Sequence, residues 1–109
     1  MELRHLRCFL AVAEELYFAR AAERLHIAQS PLSRAIKELE DDPGVQLFVR
    51  NRRRTRLTPA GHVFQKDVRQ LFNAIAQARD NVQSVASGRR GVLLHSLQQI
   101  THDFDGLYG

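Results

Sequence analysis

Between Phe64 and Val85 the chain carries an apolar seam. Phe64, Val68, Leu71, Ile75, Ala78, Val82 and Val85 follow one another at steps of four, three, four, three, four and three residues. That is heptad spacing, the pattern of a helix face built to meet another helix. Thr58-Pro59 just upstream reads as an N-cap followed by a first-turn proline, and Gly88 downstream as a stop. The spacing therefore predicts one helix from Pro59 to about Ser87, roughly 43 Å long. The residues preceding it are too few to make a globule that covers such a length. The seam needs a partner, and a second copy of the chain is the simplest supply. Three parts follow: a small domain over residues 1–58, a linker and dimerisation helix over 59–88, and a tail of unknown structure over 89–109.

The small domain reads as helical. In residues 2–16, Leu3, Leu6, Phe9, Leu10, Ala13 and Leu16 recur at helical spacing, and Phe18, Ala21, Ala22 and Leu25 repeat the pattern over 18–25. The Ala21-Ala22 pair lets another helix come close. His26-Ile27-Ala28-Gln29 breaks the rhythm, and Ser30-Pro31 then reads as an N-cap with proline at the first helical position. The third helix buries Leu32, Ile36 and Leu39 and must end before Pro43-Gly44. Leu47–Arg50 and Arg56–Thr58 are β-tolerant runs on either side of an arginine-rich tip, Asn51–Arg54, which predicts a small hairpin.

Charge matters here by position. The chain carries 16 Lys and Arg against 12 Asp and Glu, a formal +4. Yet Arg50, Arg52, Arg53, Arg54 and Arg56 crowd into one stretch that contains no acid, while Glu38, Glu40, Asp41 and Asp42 form an acidic patch before it. A cluster of like charges of that density suits a polyanion, because neutralising phosphates releases their condensed counterions. The alternative is a solvated loop that serves solubility.

Two short helices joined by a brief turn match the helix-turn-helix arrangement, in which the second helix enters the major groove of DNA. Here that helix would present Gln29, Ser30, Ser33, Arg34 and Lys37 at its N-terminal end and on its open face. Gln can bond adenine bidentately, Arg can bond guanine, and Ser takes either bases or phosphates. Each residue alone would pass for an ordinary solvated surface; their order, followed by the basic hairpin, is what points to DNA. The hairpin would then act as a wing on the backbone or in the minor groove.

Other chemistries find little support. There is no Ser/His/Asp ordering, glycine-rich phosphate loop or CxxC pair, so no enzyme activity is expected. His95, His102, Asp103 and Asp105 match no metal-ligand spacing, and neither a metal nor another cofactor is expected. Cys8 is the one cysteine, which precludes an internal disulfide and fits a reducing compartment. No apolar run approaches the roughly 18 residues of a membrane span, and the charged N-terminus does not resemble a signal peptide. A cytoplasmic location, with no membrane partner, is the expectation.

MELRHLRCFLAVAEELYFARAAERLHIAQSPLSRAIKELE, followed by GVQLFVRNRRRTRLTPAG, resembles the N-terminal region of LysR-type transcriptional regulators of bacteria. The resemblance covers roughly residues 1–88. It implies a mainly α winged helix-turn-helix, with three helices and a two-stranded β wing, followed by a long dimerisation helix. It implies that Gln29, Ser30, Pro31, Ser33 and Arg34 meet double-stranded DNA as part of a homodimer on a two-fold-related operator, and that wing arginines such as Arg53 reach the minor groove. Three departures stand out. Tyr17 takes the place of a small capping residue before the second helix, and Pro43 replaces a leucine. Beyond Gly91-Val92-Leu93-Leu94-His95 there is no counterpart of the effector-binding lobes, so no small-molecule effector site is expected. The second reading kept open is an interaction module that pairs with longer relatives through the 64–85 seam.

Overall fold

The computed structural model describes residues 1–51, 54–88 and 99–100. Its elements are α1 (Leu3–Glu15), α2 (Phe18–Leu25), α3 (Gln29–Asp41), β1 (Phe48–Arg50), β2 (Thr55–Leu57) and α4 (Pro59–Ala86). The fold is a winged helix-turn-helix followed by a long helix. Expectations placed on Arg52, Arg53 and residues 89–98 and 101–109 lie outside the described residues.

Two compact units divide the chain, Met1–Gln70 and a second beginning at Leu71. In the first, α1 turns Leu6, Phe9, Val12 and Ala13 inward, and α3 contributes Leu32, Ile36 and Leu39. Ala21 and Ala22 are the buried residues of α2, where their small side chains permit close helix contact. Phe9 is the hub: its ring lies 5.3 Å from that of Phe48 on β1 and 4.9 Å from that of Phe64 on α4. Burying a side chain of this size contributes about 1.5–3 kcal/mol.

The turns are made with backbone geometry. α1 closes on Leu16 and α2 on His26, both left-handed, at φ 62° and 58°. After His26, the Ile27 N–H donates to the Ala22 carbonyl at 3.0 Å, which satisfies an end-of-helix acceptor and aims the chain into α3. α3 stops at Asp41, before Pro43, and the N–H groups of Gly44 (φ +80°) and Val45 both donate to the Glu40 carbonyl.

One expected start is displaced. α3 begins at Gln29 with Ala28 at the N-cap, so Ser30 lies inside the helix and Pro31 is its third residue, not its first. The first four N–H groups of any helix lack an intrahelical acceptor, so proline fits throughout the first turn and marks the turn rather than the position. At α4 the same signature falls where it was expected. Thr58 Oγ1 accepts the Gly61 N–H at 3.0 Å, and Pro59 opens the helix.

The hairpin is antiparallel, with Phe48 opposite Leu57, Val49 opposite Arg56 and Arg50 opposite Thr55. It is fastened at three points. Thr55 N–H donates to the Leu16 carbonyl at 3.1 Å, Thr58 N–H to the Leu47 carbonyl at 3.0 Å, and Thr58 Oγ1 to the Gln46 carbonyl at 2.7 Å.

Candidate nucleic-acid interface

With Leu32, Ile36 and Leu39 buried, the 3.6-residue period of α3 turns Gln29, Ser30, Arg34 and Lys37 outward. Pro31 is exposed beside them and Ser33 is half-buried. Between this face and β1 runs a groove of about 550 Å³, lined by Ser33, Arg34, Lys37 and Glu40 from one side and Gln46, Phe48, Val49 and Arg50 from the other. Three expected DNA-contacting cations, Arg34, Lys37 and Arg50, thus surround one concavity. Arg54 and Arg56 are exposed on the hairpin, where the Asn51 side chain accepts the Arg54 N–H at 3.0 Å.

The groove keeps its shape because Glu40 ties its walls together. Its carboxylate accepts the N–H groups of Leu47 at 2.7 Å and Phe48 at 3.3 Å, charge-assisted bonds from α3 to the start of β1. Glu40 read as one member of an acidic patch, and its sequence gave no sign of this fastening. Gln46 and Val49 were not expected in the site either, since a register that puts them on the groove depends on where the hairpin docks.

Acids elsewhere neutralise other arginines. Glu14 pairs with Arg24 at 2.8 Å and with Arg69 at 3.6 Å, and Glu15 with Arg24 at 3.3 Å. The hydrogen bond that the Arg24 guanidinium donates to Glu14 raises the Arg24 pKa. His5, buried on α1, meets Glu38 of α3 at 3.1 Å. Cys8 is half-buried, and burial pushes its thiol up against the opposing pull of Arg4, which suits packing and not nucleophilic work. Tyr17 caps α2 with extended backbone and no side-chain bond, and its ring instead receives Arg20 at 4.7 Å.

The apolar seam divides. Val68 is 3% exposed, and Phe64 packs edge-on against Phe9, so both are used inside the first unit. The first turns of α4 thus pack against α1, where the Phe64 ring meets that of Phe9. Leu71, Ala78, Val82 and Val85 are exposed and Ile75 is half-buried.

Residues 3–62 match the family described as "Bacterial regulatory helix-turn-helix protein, lysR family". The chain belongs to the lysR family. Among its relatives, the HTH-type transcriptional regulator AlsR of Bacillus subtilis is 47% identical over 94 residues, which is 86% of this chain and 31% of AlsR. The chain therefore spans about a third of the length of such lysR-family relatives. The crystal structure of the BenM DBD/benA site 1 DNA complex superposes with a TM-score of 0.77 at 46% identity, covering 81% of this chain and 99% of that one. The CbnR DBD–DNA complex gives 0.75 at 42% identity, covering 79% and 99%. No helix among the described residues is long and apolar enough to cross a membrane.

Proposed function

We propose that this lysR-family chain binds double-stranded DNA sequence-specifically, as a homodimer on a two-fold-related site, and so regulates transcription in the bacterial cytoplasm. The observation that carries the reading is the groove where Arg34 and Lys37 of α3 face Arg50 of the wing. An α-helix with its side chains is about 10–12 Å across, and the major groove is about 12 Å wide. With α3 in that groove, Gln29, Ser30, Ser33 and Arg34 meet base edges, and Pro31 packs beside them. Lys37 and the wing residues Arg50, Arg52, Arg53, Arg54 and Arg56 meet phosphates or the adjacent minor groove. The similar BenM and CbnR domains are seen in complex with DNA, which supports the same reading. Self-association would use Leu71, Ile75, Ala78, Val82 and Val85, which α4 carries at heptad spacing. None of this calls for catalysis, a metal or another cofactor.

The test is selection of bound duplexes from a random pool, with the oligomeric state measured alongside. A dimer that enriches an inverted repeat is the expected result. A dimer that enriches no sequence would overturn DNA recognition and leave the interaction module in its place.

A further inference from the structure

The Arg50 guanidinium carbon lies 4.2 Å from the centroid of the Phe18 ring on α2. That ring is itself held. It stands at 70° to Phe48 with centroids 6.5 Å apart, and Phe48 rests on Phe9, which rests on Phe64. Phe9 and Phe48 are 0% and 4% exposed, so the ring beneath Arg50 ends a run of aromatic side chains anchored in the core. Tyr17 makes a looser counterpart: Arg20 lies over its ring at 4.7 Å, but Tyr17 is 40% exposed.

A guanidinium stacked flat on an aromatic face leaves its in-plane N–H donors available. Arg24 presents the opposite case, with its donors engaged by Glu14 and Glu15. Among the described residues no carboxylate pairs with Arg50. Its neighbours around the groove include two more cations, Arg34 and Lys37. The one carboxylate on the groove, Glu40, is engaged by the N–H groups of Leu47 and Phe48, and three cations against one acid leave a net positive site that favours an anion. Arginine also loses much rotamer freedom when a ligand immobilises it, and a stacked side chain has lost part of that freedom beforehand.

We propose that Phe18 is a positioning residue for DNA binding: it holds the Arg50 guanidinium by its face so that the N–H edge meets a phosphate flanking the bases read by α3. This rests on the DNA-binding reading above and adds a residue on α2, away from the expected contact surface, to the determinants of affinity.

The experiment titrates a duplex enriched from the random pool with the full chain over a series of salt concentrations. Arg50→Gln is expected to weaken binding about tenfold and to make the salt slope shallower by about one. Phe18→Leu, which keeps apolar bulk but no ring face, is expected to weaken it about threefold with the slope retained. In the Arg50→Gln background Phe18→Leu should add nothing, and Phe18→Tyr should recover most of the single-variant loss. Equal effects of Phe18→Leu in both backgrounds would overturn the proposal, as would a Tyr variant as weak as the Leu variant. If Phe18→Leu does not fold, proton NMR of the parent chain decides. Ring-shifted Arg50 δ-protons are expected, and unshifted ones sink the idea. A parent chain that binds no duplex overturns the DNA reading together with this one, whereas a parent that binds while Phe18 and Arg50 act independently overturns this one alone.

Discussion

At Gly61 the first turn of α4 runs against the loop that leads into β1. A β-carbon there would lie 2.8 Å from Leu57 Cδ2 and closer still to the Leu47 carbonyl oxygen, a backbone atom that already accepts the Thr58 N–H. The Leu57 side chain can swing aside but the Leu47 carbonyl is backbone and cannot, so Gly61→Ala is expected to destabilise the first unit by about 1–3 kcal/mol in a denaturant titration. An unchanged midpoint would mean that α4 does not seat this closely. Arg34 is a different case, because it is exposed and its removal should leave the fold intact. Arg34→Ala is expected to cost about 1–3 kcal/mol of DNA affinity and to relax preference at one base pair. Titration against single-base variants of a selected duplex measures both effects, and an unaltered affinity and preference would remove Arg34 from the recognition surface. The two residues also differ in legibility. Arg34 was marked by its place on a helix face opposite Leu32, Ile36 and Leu39. Gly61 acts by close approach, a property of two segments that no local pattern encodes.

The helices were legible because each advertises its own buried face and its own stop. α1, α2 and α4 lie within about two residues of the bounds their periodicity predicts, and α3 ends before Pro43 as proline chemistry requires. The start of α3 shifted because a first-turn proline is compatible with several positions. The groove was only half legible: the α3 side follows from helical period, but Gln46, Val49 and the Glu40 fastening depend on hairpin docking, a contact between elements. Thr58 shows how much one residue can join. Its hydroxyl caps α4 by accepting the Gly61 N–H and holds the preceding loop by donating to the Gln46 carbonyl. Thr58→Ala is expected to cost about 0.5–2 kcal/mol of stability, with most of it restored in Thr58→Ser. Thermal unfolding followed by circular dichroism tests this, and equal losses in the two variants would show that the methyl group, not the hydroxyl, carries the effect.

For the molecule as a whole, a continuous α4 asks two things of one apolar seam. Phe64 and Val68 pack inside the first unit, whereas Leu71, Ala78, Val82 and Val85, at the same heptad spacing, are exposed. A charge introduced early in the seam should therefore act on folding, and one introduced late should act on association. Val68→Glu would bury an unpaired carboxylate and is expected to unfold the first unit. Val82, 69% exposed, and Val85, 41% exposed, can both become Glu with helicity retained. In that double variant, sedimentation equilibrium should show loss of the proposed dimer. Its affinity for a two-fold duplex should fall by about 10²–10⁴, because joining two half-site contacts in one particle is worth that much. Binding to a duplex that contains one half-site should stay as it was, since α3 and the wing are untouched. A double variant that remains dimeric would place self-association on another surface. One that dissociates yet keeps its affinity for the two-fold site would show that a single copy suffices for recognition.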